Sequence, residues 1–446
     1  MLLRSLIRAV CVAAAAVMAG LVPAIIAAPA RAAVEIQWWH AMPGELGRQL
    51  EKLAADFNAS QTEFRIVPTY KGLYAETMTV ALFSFRVRQH PAIVQVAEFG
   101  TANMMSAKGA VYPVFKLMRD EGVPFDPAAY LPAITGYYAD TDGNLLSYPF
   151  NSSTPILYYN KDQFRVAGLD PDVAPKTWPE VEAAARKLIA AGIACGFSTE
   201  WPSWINVENF SAYHNVPIAT KANGFGGLDA ELTINNALMV RHIGTLAEWQ
   251  KAKIFDYGGR TIRAERKFYG SECGMFLGSS AARADILANA KFEIGYGLLP
   301  YWPDAAGAPQ NSIIGGATLW VMNERPRAEY KGVARFFAFL SRPDVQAWWH
   351  QATGYLPITN AAYELTRTQG YYDRNPGTDI SIKQITLKEP TVNSKGMRLG
   401  SFAVIRDIVE EELEQAFSGN KSAKGALDSA VLRGNEVLRK FEQANR

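Results

Sequence analysis

From residue 35 the chain alternates short apolar runs with amphipathic segments, and this alternation restricts the fold more than any other feature. Glu35 to His40 reads as a strand. Behind it Leu46, Leu50, Leu53, Ala54 and Phe57 recur at helical spacing on one face. Phe64 to Tyr70 reads as a second strand, Tyr74 to about Arg88 as a second helix, and Ala92 to Phe99 as a third strand. Such alternation predicts a mostly parallel sheet flanked by helices. Ligands of such sheets sit beyond the carboxyl ends of the strands, where loops lead into helices.

A second unit of the same kind begins after Pro149. Thr177-Trp178-Pro179-Glu180 is a capping box, opening a helix that turns Trp178, Val181, Ala185, Leu188 and Ile189 inward and stops at Gly192. Phe197 to Gly227, with Trp201 and Trp204, reads as loop-rich. Pro303 to Gly316 reads as a second connection, and a helix follows near Ala328 to Leu340. Two or more crossings between two α/β lobes create a cleft with a hinge.

The first residues read as an export leader. Arg4 and Arg8 precede an apolar stretch from Ala9 to Ala28, and Ala30-Arg31-Ala32 supplies the small residues a signal peptidase needs, which puts cleavage near Ala32. The whole chain has 45 basic and 43 acidic residues; the leader removes three arginines and no acid, leaving 42 against 43. That balance gives no reason to expect nucleic acid or a membrane surface as partner. About 414 residues remain, too many for one ordinary core and enough for two lobes. Cys195 and Cys273 remain after cleavage; in an oxidising compartment they can pair, and spacing alone leaves both states open.

The strings contain no zinc-binding histidine pair, Walker-type loop, dinucleotide fingerprint or nucleophile elbow, so no cofactor and no metal is expected. The acid run Glu410-Glu411-Glu412 reads as the solvated face of a helix. Polar and aromatic residues gather instead at expected strand ends and crossings: Trp38-Trp39-His40, Tyr74, Glu98 and Asn151-Ser152-Ser153-Thr154. Each has a plain alternative, since aromatics pack and Ser or Asn caps turns.

Five runs carry a resemblance: Gly44-Glu45-Leu46-Gly47, VPTYKGLY from Val67, PFNSSTPILYYNKD from Pro149, IIGGATLWVM from Ile313 and TGYLPIT from Thr353. In these the chain resembles the extracellular solute-binding proteins of ABC importers, the family that also holds maltose- and oligosaccharide-binding proteins. The resemblance extends over essentially the whole chain after the leader. It implies an α/β, two-lobed periplasmic binding protein fold of the type II, Venus-flytrap kind, with the ligand cleft between lobes. On this chain it implies a leader over 1–32, lobe I over 33–147 and 306–353, and lobe II over 148–305 and 354–446. It further implies a monomeric carrier in the periplasm, without enzymatic activity, that delivers sn-glycerol 3-phosphate to membrane permease subunits driven by a separate ATPase.

The same resemblance assigns ligand contacts. Arg406 would meet the phosphate with its guanidinium fork. Ser279 would meet the phosphate at the start of a helix over Ala281 to Ala290. Gly316 would offer its main chain and Ser153 a hydroxyl. Glu98 would accept bonds from the free glycerol hydroxyls, at the end of the ligand away from the phosphate. Tyr74 and Tyr355 would present a ring face to carbon and an OH to oxygen, and Trp201 is an additional contact. Ala97 stands where relatives often carry an aromatic. Two other readings stay open: the same class with a glycerophosphodiester such as glycerophosphocholine, or an oligosaccharide, as cargo; and a secreted phosphodiesterase.

Overall fold

The structure is a computed structural model that describes residues 32–140 and 142–446; the expected leader, apart from Ala32, lies outside the described residues. The first elements follow the sequence pattern. Strand β1 spans Val34–His40 and helix α1 spans Gly44–Ser60, with Leu50, Leu53, Ala54 and Phe57 buried as their spacing requires. Strand β2 (Phe64–Tyr70), helix α2 (Tyr74–Arg86) and strand β3 (Ile93–Ala97) come next, and Glu98 begins a short 3₁₀ turn one residue past β3.

Two sheets form. β4 (Val111–Tyr112), β5 (Tyr148–Ser153) and β10 (Gly315–Met322) complete the first, whose strands run β2-β1-β3-β10-β4 with β5 also on β10. β6 (Pro155–Asn160), β7 (Cys195–Thr199), β8 (Cys273–Ser279) and β9 (Ile294–Gly297) form the second, in the order β7-β8-β6-β9. The crossing between sheets therefore falls at Thr154, since the residues from Tyr148 to Ser153 still pair with β10.

The expectation of mostly parallel sheets is corrected. β1 pairs in parallel with β2 and β3, and β7 with β8. The other five pairings are antiparallel, because β10 returns to the first sheet from the second and enters it against β3, β4 and β5, and β6 runs against β8 and β9. Local periodicity reports strands but not the direction of a strand that arrives from elsewhere.

Other elements match or depart in instructive ways. Helix α3 (Trp178–Ala190) has the expected reciprocal cap: Glu180 N donates to Thr177 Oγ1 and the Glu180 carboxylate accepts from Thr177 N. The stretch from Phe197 is not a loop; it holds β7, a π-helical turn over Trp204–Asn209 and a helical turn over Phe210–Tyr213. Helix α4 spans Arg283–Asn289 behind a 3₁₀ turn at Ser280–Ala282, and helix α5 spans Phe402–Phe417. On α5, Glu410 and Glu412 are buried, against the solvated reading; Glu412 accepts from Lys421 and from Ser429 and Arg433 of the C-terminal helix Ala423–Asn445. Cys195 and Cys273 are register partners on β7 and β8, with Cα atoms 4.6 Å apart, and form a disulfide. Among the described residues, no helix is long and apolar enough to cross a membrane.

Candidate functional site

A cavity of about 750 Å³, its open mouth included, lies between the two sheets. One wall comes from the first sheet's side: the Ala41–Pro43 turn before α1, Tyr74 at the start of α2, Glu98 and Phe99 after β3, Ser153 ending β5, and Gly315–Gly316 opening β10. The opposite wall carries Glu200 and Trp201 after β7, Trp204 on the π turn, Glu265, Ser279, Ala281 and Ala282, Asp285 on α4, and Arg406 on α5. All eight residues that the resemblance singled out line this one cavity, Tyr355 among them.

The first wall is held by a chain of hydrogen bonds. Ala41 N donates to Gln95 Oε1 (2.8 Å), Gln95 Nε2 to Asn151 Oδ1 (2.8 Å) and Asn151 Nδ2 to Tyr74 OH (3.2 Å). Tyr74 OH then lies 3.4 Å from Tyr355 OH. Tyr355 stacks on Trp349, with ring planes 7° apart. Both phenols are thus fixed in the cavity wall. Gly316 takes φ +93, and a Cβ there would lie 2.0 Å from the Asn151 carbonyl oxygen, so only glycine lets β10 start against β5.

Arg406 is the one cationic side chain among the lining residues. Its Nε donates to Glu208 Oε1 (2.7 Å), its Nη2 to Glu208 Oε2 (2.6 Å) and to Glu98 Oε1 (2.6 Å), and Phe99 lies under the guanidinium at 4.6 Å. Nη1 takes no protein acceptor among the described residues, so its two N–H groups are the free ones. Burial works against this charge, yet the two carboxylates outweigh it and hold the guanidinium proton more tightly than usual. Burial raises Glu98 above the ordinary carboxyl range, with Arg406 pulling the other way. Arg406 and Glu98, expected at the phosphate and glycerol ends of the ligand, thus meet in one cluster.

Across the cavity the carboxyls gather. Burial pushes Glu200 up to about 7, and burial together with the charge of Glu200 pushes Glu265 well above its usual range. A proton between these two carboxyls is the state that burial favours. Glu200 Oε1 also accepts from Ser279 N (2.5 Å), and Ser279 Oγ accepts from Ala281 N (3.2 Å). The Ser279 amide is thus already engaged, and α4 is a helix of only seven residues. Trp201 sits at φ +41, a conformation bulky residues avoid and one that recurs at ligand sites.

Sequence reasoning missed Glu208, Glu200, Glu265 and Asp285 as parts of this site. Glu200 and Glu208 stand as isolated acids inside the aromatic-rich EWPSWINVENF, which was the readable signal. Glu265, inside RAERKFYG, looks like an ordinary surface helix and gave none.

Residues 43–347 match the family model described as bacterial extracellular solute-binding protein. The chain is 50% identical over 424 residues to the sn-glycerol-3-phosphate-binding periplasmic protein UgpB of Pectobacterium atrosepticum, covering 95% of each chain. It is likewise 50% identical, over 418 residues, to the UgpB of Salmonella typhimurium, covering 94% of this chain and 95% of that one. Among solved structures, UgpB of Mycobacterium tuberculosis in complex with glycerophosphocholine superposes with a TM-score of 0.75 at 20% identity, covering 91% of this chain and 98% of that one. That last likeness bears on the fold alone, a type II periplasmic binding protein. With the sequence match over most of its length and an interlobe cavity in place, the chain belongs to the bacterial extracellular solute-binding protein family.

Proposed function

We propose that this protein captures sn-glycerol 3-phosphate in the periplasm and hands it, unaltered, to the permease of an ABC importer with a separate ATPase. The observation that carries the cargo is the meeting of all eight expected contacts in one cavity whose single cation is Arg406. The names of the half-identical relatives support the same ligand. In this reading the phosphate takes the free Nη1 edge of Arg406 and the Ser153 hydroxyl, in a site drier than water where such bonds are stronger. The glycerol hydroxyls donate to the oxygen of Glu98 that Arg406 leaves free, and the two tyrosines close over the carbon chain. Residues 33–153 with β10 form one lobe and β6–β9 with α5 the other, closing about the crossings near Thr154 and Ile313–Ile314.

A second reading has its own support. Glu98, Glu200, Glu265 and Asp285 line the cavity with Arg406, so a dianionic monoester meets many carboxylates. A glycerophosphodiester carries one negative charge less, and Trp201 and Trp204 offer faces to a cationic substituent. The structure of the M. tuberculosis protein holds such a diester.

Calorimetry on the wild-type protein with glycerol 3-phosphate, glycerophosphocholine and maltose tests both. Saturable heat with one or both phosphate esters and none with maltose is expected; maltose binding alone overturns the reading. Incubation with glycerophosphocholine followed by an assay for free choline separates carrier from phosphodiesterase: sustained release means an enzyme.

A further inference from the structure

Behind the wall that carries Ser279 lies a second, much smaller cavity, lined by Ser280, Arg283, His350, Gly354 and Tyr371 among others. Arg283 is 9% exposed and Ser280 3%. Arg283 Nη1 donates to the Gln351 carbonyl oxygen (3.1 Å), and its guanidinium lies 6.0 Å from the Tyr371 ring, at the outer edge of a cation–π contact. Its Nε–H is buried and has no acceptor among the described residues, and the Ser280 hydroxyl is buried without a partner too. No described carboxylate comes within ion-pair distance of Arg283.

The neighbours offer no remedy. Tyr371 OH donates to the Gln351 carbonyl, and Tyr158 OH to the carbonyls of Ser279 and Ser280. His350 bonds to the Tyr355 carbonyl through Nδ1 and to Tyr372 OH through Nε2. Burial lowers His350 to about 4, so it is neutral and brings no counter-charge. A buried guanidinium without an opposite charge, beside a buried hydroxyl without an acceptor, is an arrangement that native proteins avoid unless something anionic completes it.

We propose that this back cavity binds a small monovalent anion of the halide class, held by Arg283 Nε–H and Ser280 Oγ–H. Water satisfies the two hydrogen bonds but leaves the charge unbalanced; a halide does both. The site shares its wall with the ligand cavity: Ser280 lines one and Ser279 the other, and Gly354 and Tyr355 divide in the same way. Gly354 sits at φ +82 so close to the Ser280 turn that a Cβ would lie 2.3 Å from the Ser280 carbonyl oxygen. Anion occupancy therefore steadies the turn and the segment that present Ser279 and Tyr355.

Bromide is the probe. Crystals of the wild-type protein soaked in sodium bromide, with data collected at the bromine edge, are expected to show an anomalous peak within hydrogen-bonding reach of Arg283 Nε and Ser280 Oγ. At about 0.15 M salt, melting is expected to be several degrees higher in chloride or bromide than in gluconate at equal ionic strength. Arg283→Met and Ser280→Ala should each shrink that difference. A map with water alone at the site, or equal melting in halide and gluconate, overturns the proposal; so does a peak seen only at molar bromide with no thermal response at the lower concentration. If Arg283→Met does not fold, the wild-type map still decides.

Discussion

Arg406 carries one positive charge between two carboxylates, so the cluster with Glu98 and Glu208 has a net charge of minus one before any ligand arrives. Glu208 occupies the Nε/Nη2 edge and so orients the remaining Nη1 toward the cavity. Truncating Arg406 to Ala leaves two buried carboxylates facing each other, and breaking such a pair costs about 3–5 kcal/mol. Urea unfolding of Arg406→Ala should show a loss of that order, together with loss of phosphate-ester binding. Glu208→Gln keeps the shape and removes one negative charge. A unit charge a few ångströms away matters more to a dianion than to a monoanion, so this variant should shift preference toward glycerol 3-phosphate over glycerophosphocholine by about tenfold. An unchanged ratio in paired calorimetric titrations would contradict this account of the cluster.

The Glu200–Glu265 pair sets a pH dependence of definite sign. The native state keeps a proton here up to about pH 7, whereas the unfolded chain releases it near 4.5. Stability from this source is complete below about 4.5 and drains away as pH rises through 7. Buried His40, His214 and His350, each lowered to about 4 by burial, act oppositely: they cost stability as pH falls below 6.5. Between pH 6.5 and 8 the carboxyls therefore dominate. Glu265→Gln, which mimics the protonated acid, should flatten the fall in melting temperature across that window, and parallel curves for variant and wild type would refute the shared proton.

At the scale of elements, legibility followed distance along the chain. The α1 face, the α3 capping box and the β1–β3 alternation depend on neighbours three or four positions away, and each reads directly from the sequence. The antiparallel entry of β10 depends on partners more than 150 residues distant, and no local period encodes it. The π turn over Trp204–Asn209 was equally silent. Of the expected contacts, Tyr74, Glu98 and Ser153 stand out at strand ends and crossings, while the others were legible only through whole-string resemblance; the clamping carboxylate Glu208, and the burial of Glu410 and Glu412, needed the packed helices. The Cys195–Cys273 bond ties adjacent strands at the end of β7 away from the cavity. Replacing both cysteines with Ser should lower stability by about 2–4 kcal/mol in urea melts while leaving ligand affinity within a few-fold. A loss of binding as large as the loss of stability would mean that the bond shapes the site itself.

For the whole molecule, the question is what holds two lobes together around the cavity. Helix α1 has no side-chain cap of its own: Pro43 precedes it and offers none. The missing acceptor comes from the opposite lobe, where Asp285 Oδ1 accepts from Glu45 N at 3.1 Å. A carboxylate at a helix N-terminus is favourable through both the hydrogen bond and the dipole, and here that gain exists only when the lobes meet. Ser401 N, bonded to Asn103 Oδ1 at 3.0 Å, and Arg398, bonded to the carbonyls of Tyr137 and Ala139, add cross-links at the base. Affinity for a ligand that binds the closed form scales with the fraction of molecules closed. Asp285→Ala should therefore shift the unliganded protein toward the open form, seen as a larger radius of gyration by small-angle scattering, and weaken ligand binding by about fivefold, the factor that ~1 kcal/mol of capping implies. Saturating ligand should restore the wild-type radius. If the variant binds as tightly as wild type and scatters identically, the cap is a by-product of closure and the base contacts alone govern it.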